Sequence, residues 1–541
     1  MANRCLLLIF FLMMTFPGGC VPPDRRPVFQ PDFHDSVPEN PWPPPGTAET
    51  YRFRTEDLPS VDIPASEEIP LNLSVEKAVL LALQYNRELA VEQLTPVITG
   101  TFEAIERGIF DPELFGEAEY FEEESVETAR STGTRFSVEG RETAAALGIR
   151  QRLPTGTTLE TAVEQERSIS NRAPEQQIAR FGLTVTQALL QGFGPAVNLA
   201  GVRQAELETL ADVYELRGLT EALLAETEKA YWNYVLANRE IAIFEESLAV
   251  ARQQLQEAET RISVGVLPEI EAAAARAQVA LHLQALIDAR SRLADSRLRL
   301  LRLVNPPELG LAPNRELNAV SDLELDLRPI ADTADRLRLA VDSRPDLGEA
   351  RLRLTQNRLE TIVTRNGLLP RLDFFAALGR TGYADTFSDS FTELDGDTYD
   401  ITAGVRLNHY LINRAAKARD LAARVSVQQA DAAVANLEQL VRLDVRLAVN
   451  EAERARQQIT ASAATRDLQE ETLRAETERF GVGAGTGLSV AQSQRDLLQS
   501  QIAEVEAMVQ YRLALVDLYL AEGSLLERRG IRLPTGSTPR K

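Results

Sequence analysis

Two very long segments of this chain lack proline. Residues 196–264 contain no proline and little glycine, and residues 414–480 contain neither. At about 1.5 Å rise per residue, each segment would form roughly 100 Å of α-helix. Helices of this length cannot bury their apolar side chains alone, so the fold must be elongated, with helices packed along their length.

Each long segment carries apolar residues at spacings of three and four, which is the pattern of a coiled-coil seam. The first seam comprises Ala237, Ile241, Phe244, Leu248, Ala251, Leu255, Ala258 and Ile262. The second comprises Val434, Leu437, Val441, Val445, Ala448, Ala452, Ala455 and Ile459.

A glycine-containing break follows each long helix. Residues 265–268 precede a second predicted helix over 269–303, and residues 481–487 precede a last helix that extends to about Glu522. Glycine permits the backbone conformations that end a helix and start its return. Both segments therefore predict helical hairpins.

The two breaks match each other at one fixed offset. Arg261-Ile262-Ser263-Val264-Gly265 aligns with Arg479-Phe480-Gly481-Val482-Gly483 at an offset of 218 residues. Similarity at a single spacing indicates an internal duplication. The alternative is two unrelated coiled coils, which would not explain the strand-like segment before each long helix.

Those strand-like segments are rich in Phe, Thr, Tyr and Gly. We expect strands near residues 114–121, 181–189, 370–382 and 399–411. The turn signal Leu153-Pro154-Thr155-Gly156 predicts an extra hairpin in the first half. Helices are expected at about 75–108, with Ser74 as N-cap, and at 337–366.

The N-terminus has the pattern of an export leader. Arg4 supplies the positive charge, residues 6–14 are apolar, and Pro17-Gly18-Gly19 leads to Cys20. Small residues before a cysteine resemble a bacterial lipobox, so Cys20 is the candidate lipidation site, the alternative being ordinary cleavage. Residues 21–70 are rich in proline and are expected to form an extended tether.

Composition and motifs exclude several classes of function. The net charge of −22 argues against a nucleic-acid partner and is explained either by solvated helix faces or by an electronegative conduit. After the leader no stretch has the roughly 20 apolar residues of a membrane helix. His34, His282 and His409 lack neighbours at metal-ligand spacing, and no nucleotide or nucleophile motif is present, so we expect no metal, no cofactor and no catalytic residues.

Several motifs resemble the TolC-like outer-membrane efflux proteins (outer membrane factors). The segment 78–89 resembles the start of the family's first repeat, and 344–347 is its counterpart in the second half. Residues 108–112 and 367–370 resemble the family's transition from helix to strand. The resemblance covers about residues 71–524, and the doubled arrangement is its specific element.

The resemblance implies a mainly α fold with membrane β-structure. It implies a homotrimer that forms one outer-membrane β-barrel, in contact with lipid, and one α-helical periplasmic tunnel. We divide the chain into a signal peptide (1–20), tether (21–70), first repeat (71–310), linker (311–336), second repeat (337–524) and tail (525–541). Within the repeats we place strands at 113–190 and 370–411 and helical hairpins at 196–304 and 414–522.

The resemblance also assigns a function to the breaks, as the tip where a periplasmic adaptor (membrane fusion) protein docks. The residues expected there are Arg261, Val264, Gly265, Val266, Leu267, Pro268, Arg479, Val482, Gly483, Gly485 and Thr486. In the family, acidic residues just after the second break form a gate. Ser489 and Gln492 occupy those positions in this chain, whereas Glu269 and Glu271 follow the first break. The alternative is that both breaks are ordinary turns without a partner.

The expected function is a passive outer-membrane exit duct. It would receive small molecules or polypeptides from an inner-membrane transporter of the RND or ABC class. The competing interpretation is a structural envelope protein, a coiled-coil tether or adhesin that conducts nothing. An enzyme is not expected, because no acid–base or nucleophilic constellation is visible.

Overall fold

The computed structural model describes residues 71–531, apart from 129, 131, 267, 306–316, 322–324, 326 and 331. The predicted leader, Cys20 and the tether therefore lie outside the described residues. The helices are α1 (Val75–Tyr85), α2 (Arg87–Glu92), α3 (Thr95–Arg107), α4 (Pro195–Asn198), α5 (Ala200–Ser263), α6 (Glu269–Val304), α7 (Thr333–Ser343), α8 (Pro345–Asn366), α9 (Phe387–Thr392), α10 (Arg414–Gly481), α11 (Gly487–Ala521) and α12 (Leu525–Arg528). The strands are β1 (Leu71–Leu73), β2 (Glu113–Thr128), β3 (Arg135–Arg152), β4 (Thr157–Ser170), β5 (Ala173–Ala188), β6 (Leu317–Ala319), β7 (Arg371–Ala384) and β8 (Tyr399–Asn408).

Two helical hairpins dominate the structure. Helix α5 has 64 residues and returns as α6, and helix α10 has 68 residues and returns as α11. Both long helices extend for about 100 Å at 1.5 Å per residue. The sequence prediction of two long helices, each followed by a break and a second helix, is confirmed.

Burial along the seams explains how these helices are held. In the first seam Phe244 and Leu248 are buried and pack with Leu286 of α6 and Leu498 of α11. In the second seam five of the eight residues are buried. These are Val441, Val445, Ala452, Ala455 and Ile459. Apolar burial between neighbouring helices, rather than a globular core, thus stabilises the long hairpins.

Two predicted helices are interrupted. The helix expected over 75–108 breaks at Asn86, whose extended backbone ends α1 and whose side chain accepts a hydrogen bond from the Leu89 amide at 3.0 Å. The helix expected over 337–366 breaks at Arg344, since a residue before proline is disfavoured in the α conformation. Ser74 does cap α1, accepting a hydrogen bond from the Lys77 amide at 3.2 Å.

The larger sheet has the order β2-β3-β4-β5-β7-β8 among the described residues, and every neighbouring pair is antiparallel. The predicted extra hairpin is present as β3 and β4. Several strands are longer than expected, because their pairing continues beyond the apolar runs into charged sequence. For example, β2 extends to Thr128 rather than 121, while β8 ends at Asn408 rather than 411.

The two halves meet around a small parallel pair, in which β1 lies beside β6. Leu71, Leu73 and Leu317 are buried there against Tyr231 and Trp232 of α5. The Tyr231 hydroxyl donates to the Leu73 carbonyl at 3.1 Å, so its polar end is satisfied within the apolar cluster. This cluster fixes the middle of α5 to the start of the described chain. Among the described helices, none combines the length and apolar character that crossing a bilayer would require.

Candidate functional site: two helical turns and a two-faced sheet

The first turn ends α5 with a left-handed glycine. Gly265 has φ +78°, its amide donates to the Ile262 carbonyl at 2.9 Å, and the Val266 amide donates to the Arg261 carbonyl at 2.9 Å. This pair of bonds is the Schellman motif, which satisfies carbonyls that would otherwise have no partner at the helix end. Glycine is required because an added Cβ is strained at positive φ.

The second turn ends α10 in the same way. Gly483 has φ +79°, its amide donates to the Phe480 carbonyl at 3.1 Å, and the Ala484 amide donates to the Arg479 carbonyl at 2.8 Å. Each bond joins residues equivalent to those of the first turn at the offset of 218. The match found in sequence is therefore a match of backbone geometry.

The return helices begin differently. Thr486 caps α11, with its side-chain oxygen accepting from the Ser489 amide at 3.2 Å, whereas Pro268 precedes α6 without a side-chain cap. Both residues are extended and occupy equivalent positions. Gly485 lies in the second turn close to the backbone of Phe480, and Leu267 lies outside the described residues.

A cation–π contact joins the two turns. The guanidinium carbon of Arg261 lies 5.8 Å from the centre of the Phe480 ring. The equivalent arginine, Arg479, instead forms an ion pair with Glu476 at 2.6 Å. The structure thus places both breaks side by side at one end of the helices, with unlike partners for the two arginines.

Five apolar side chains are exposed at this end. They are Val264 (68% exposed), Val266 (72%), Ile270 (75%), Val482 (81%) and Leu488 (62%). Val264 is equivalent to Val482, and Ile270 to Leu488, at the offset of 218. Contiguous exposed apolar residues on a folded surface mark a site of interaction. We call these five residues the tip patch.

The structure describes the side chains of three of the four expected gate residues. Glu269 and Gln492 are exposed, while Ser489 is half-buried and its hydroxyl donates to the Thr486 carbonyl at 2.8 Å. Glu271 lies in the first turn of α6, and its side chain lies outside what the structure describes. The role of Glu271 therefore stays a prediction.

At the far end of the long helices, the larger sheet has an apolar face. Directly opposed residues of antiparallel strands share a face. One such row crosses all its described strands and consists of Leu114, Ile149, Thr161, Leu183, Leu378 and Ile401. Every apolar member of this row is at least 37% exposed. We call this side of the sheet the apolar face.

The opposite side, which we call the charged face, carries ion pairs. Arg150 contacts Glu160 at 2.8 Å, and Arg180 contacts Asp400 at 2.9 Å and Glu164 at 3.3 Å. Gly379 lies between Arg180 and Asp400 on the intervening strand, where a side chain would collide with both. The part of the sheet next to the helices is thus apolar on one face and hydrated on the other. Farther from the helices the apolar face also carries two ion pairs, Arg141 with Glu122 at 2.9 Å and Arg167 with Glu175 at 2.6 Å.

Sequence reasoning missed a set of buried ion pairs near the junction of the halves. Glu228, whose side chain is 0% exposed, pairs with Arg529, and Arg217 pairs with Glu221 at 3.0 Å. Burial raises the pKa of Glu221 to about 7, although the charge of Arg217 opposes this shift. Glu228 and Arg529 lie far apart in the chain, so no local signal could have revealed their pairing.

His282 and His409 lie within the described residues, and His34 lies outside them. His282 is buried on α6, and burial lowers its pKa. Within the part of the chain that the structure describes, no group of three His, Cys, Asp or Glu side chains could hold a metal ion.

Comparison with known proteins relates the chain to outer membrane efflux proteins. The family model described as "Outer membrane efflux protein" matches residues 150–305 and 337–524, well over half of the chain. The outer membrane protein OprJ of Pseudomonas aeruginosa is 26% identical over 409 residues, which cover 72% of this chain and 78% of OprJ. The outer membrane efflux protein BepC of Brucella suis is 25% identical over 327 residues, 60% of this chain and 68% of BepC.

Solved structures share the fold. A membrane protein from Pseudomonas aeruginosa superposes with a TM-score of 0.62 at 19% identity, covering 86% of this chain and 99% of that one. The CmeC outer membrane channel of Campylobacter jejuni gives 0.60 at 17% identity, covering 86% and 94%. The elongated helices and the sheet therefore form an architecture already seen in outer-membrane channels.

Proposed function

Because the chain belongs to the outer membrane efflux protein family, we propose that it is the passive exit duct of a tripartite efflux or type I secretion system. Its location is the bacterial outer membrane, with the helical part in the periplasm. It would carry small molecules or polypeptides delivered by an inner-membrane RND or ABC transporter. Its relatives are channel proteins rather than enzymes.

The observation that carries this proposal is the two-faced sheet at one end of helices about 100 Å long. A bilayer accepts apolar side chains on one side of a β-structure, whereas a conduit needs the other side hydrated. The ion pairs of Arg180 and Arg150 lie on the hydrated side. A tether without a pore would not require a sheet with one apolar and one charged face.

The duct would be a homotrimer. An open sheet leaves unpaired backbone groups at its edges, and lipid does not tolerate them, so several copies must close one barrel. In the same assembly the helical hairpins of three copies would enclose the periplasmic tunnel.

The lipidation proposed for Cys20 would add only marginal anchoring beside such a barrel. Loss of fatty-acid labelling in Cys20→Ala would support it, and unchanged labelling would show that another residue is acylated.

We further propose that the tip patch receives the periplasmic adaptor. Five exposed apolar side chains at the ends of two equivalent turns offer a surface whose burial would favour docking. Energy would come from the pump, since the duct has no proposed catalytic or nucleotide site.

Reconstitution tests the proposal. We expect purified protein to migrate as a heat-modifiable trimer and to conduct ions in planar bilayers. The double variant Val264→Asp with Val482→Asp should keep conductance but lose efflux in cells, because charges oppose apolar docking. Val250→Asp is the matched control, being an exposed valine on α5 outside the turn.

A water-soluble protein without conductance would overturn the duct and favour the structural tether. Conductance with unchanged efflux in the double variant would reject only the adaptor role of the tip patch.

A further inference from the structure

The hairpin β3–β4 occupies the middle of the sheet rather than its margin. Along its length β3 pairs with β2 on one side and β4 on the other, and β4 pairs with β5. Thus β2 and β5 are kept apart by the inserted strands. Among the described strands, the first half contributes β2 to β5 to this sheet and the second half β7 and β8.

The hairpin continues the apolar face in register with the neighbouring strands. Leu147 of β3 is opposite Val163 of β4, and Val163 is opposite Phe181 of β5. These side chains are 59%, 37% and 52% exposed, respectively. In a hairpin surrounded by water, apolar side chains in register with those of the neighbouring strands would not be stabilised by burial.

The charged face is continuous as well. Arg150 of β3 contacts Glu160 of β4 at 2.8 Å, and Glu164 of β4 contacts Arg180 of β5 at 3.3 Å. Along β3, from Arg141 to Ile149, residues on the apolar face are exposed while those on the charged face are at least partly buried. Side chains on the concave side of a curved sheet lie closer together and are less exposed than those on the convex side. The charged face is therefore expected to be the concave, inner side.

The turn of the hairpin is fixed to the helical scaffold. Gly156 has φ +85°, and its carbonyl accepts a hydrogen bond from the Ala188 amide at 3.1 Å. The Thr155 carbonyl accepts from the Gly194 amide at 3.0 Å. Asn198, at the end of α4, accepts from Arg152 at 3.3 Å. The hairpin is thereby held where β5 turns into the long helix.

The sheet ends on β2 and β8, and within the described residues neither edge has a further strand beside it. The strands alternate in direction, so β2 and β8 run in opposite directions. The edge of one copy can therefore pair antiparallel with the other edge of the next. Membrane barrels start at about eight strands, so six described strands cannot close alone.

We propose that three copies of this chain close a single barrel of eighteen strands, in which β2 of each copy pairs with β8 of the next and β3 and β4 form part of the membrane wall. This rests on the trimer of the proposed function. With strands about 4.8 Å apart and tilted about 40°, eighteen strands span roughly 36 Å between backbones, whereas twelve span roughly 24 Å. The outer part of the duct would then admit larger solutes than a barrel without the hairpin.

Single-cysteine variants distinguish a wall hairpin from an external one. Leu147→Cys and Val163→Cys place a probe on the apolar face, and Ala146→Cys and Ala162→Cys place it on the charged face. Leu378→Cys and Ala377→Cys are matched references on β7, outside the hairpin. Each variant, as reconstituted trimer, carries a bimane fluorophore, and quenching by brominated lipid is compared with quenching by iodide. The parent protein without an introduced cysteine measures background labelling.

We expect Leu147, Val163 and Leu378 probes to be quenched several-fold more by brominated lipid, and Ala146, Ala162 and Ala377 probes more by iodide. If the hairpin probes all follow iodide while the β7 pair still alternates, the hairpin lies outside the wall and the eighteen-stranded barrel is wrong. If the β7 pair also fails to alternate, the membrane duct itself is rejected. Images of the trimer with twelve strands around the pore would likewise overturn the inference.

Discussion

Arg261 and Phe480 lie in contact, the guanidinium carbon 5.8 Å from the ring centre, although one ends the first long helix and the other the second. The contact joins two turns of identical hydrogen-bond pattern. A cation over an aromatic face at an exposed site contributes about 0.5–1 kcal/mol. The contact therefore links the two turns and can be tested by mutation of either residue.

The first prediction concerns this contact. In a double-mutant cycle, Arg261→Ala and Phe480→Ala should show a coupling of about 0.5–1 kcal/mol in thermal stability. The matched pair Arg479→Ala and Phe480→Ala should show little coupling, because Arg479 forms its ion pair with Glu476 instead. Equal coupling in both pairs would contradict the assigned contact.

The second prediction concerns the turn glycines. Gly265→Ala and Gly483→Ala should each cost about 1–2 kcal/mol locally, since alanine is disfavoured at positive φ. Hydrogen exchange at the Val266 and Ala484 amides should accelerate by about 5–30-fold. Gly481→Ala is the control, because Gly481 is helical and has nothing near an added Cβ. Equally fast exchange in the control would show that the conformation of the glycine is not the cause.

The third prediction concerns the gate. Three copies of Glu271 around a narrow axis would concentrate negative potential and attract cations. Glu271→Gln should therefore lower the cation selectivity of the reconstituted channel more than Ser489→Ala does. Reversal potentials under a salt gradient measure this. Wild-type selectivity in both variants would reject Glu271 as a gate residue while leaving the turns unaffected.

The fourth prediction concerns pH. Burial raises the pKa of Glu221 to about 7, above the ordinary 4.5. A carboxyl with a raised pKa stabilises the fold below its unfolded pKa, and this contribution is lost as pH rises through 7. Glu221→Gln should therefore gain stability relative to the parent between pH 5 and pH 8, by up to about 3 kcal/mol per chain.

Thermal unfolding of the detergent-solubilised trimer at both pH values measures that difference. Glu245→Gln is the control, because Glu245 is exposed and pairs with Arg290 at the surface. A difference between Glu221→Gln and the parent that does not change with pH would contradict the assignment of the buried charge.

Signals between neighbouring residues were enough to predict the long helices and their turns. Helical seams, proline-free length and glycine breaks are local properties, and they predicted α5, α6, α10 and α11 closely. The duplicated turn around Gly265 and Gly483 was equally visible, because left-handed backbone geometry demands the same residue twice. The resemblance to the family followed from the order of these local signals.

Contacts between residues far apart in the chain could be seen only in the folded structure. The pairing of β5 with β7, the contact of Arg261 with Phe480, and the pairing of Glu228 with Arg529 join segments that no periodicity links. Pairing of strands that are distant in the chain depends on the entropic cost of closing a long loop. A buried ion pair forms only where the attraction between the charges exceeds the free energy of removing them from water. These energies are set by the packed arrangement of both halves, so the sequence pattern of either half could not reveal them.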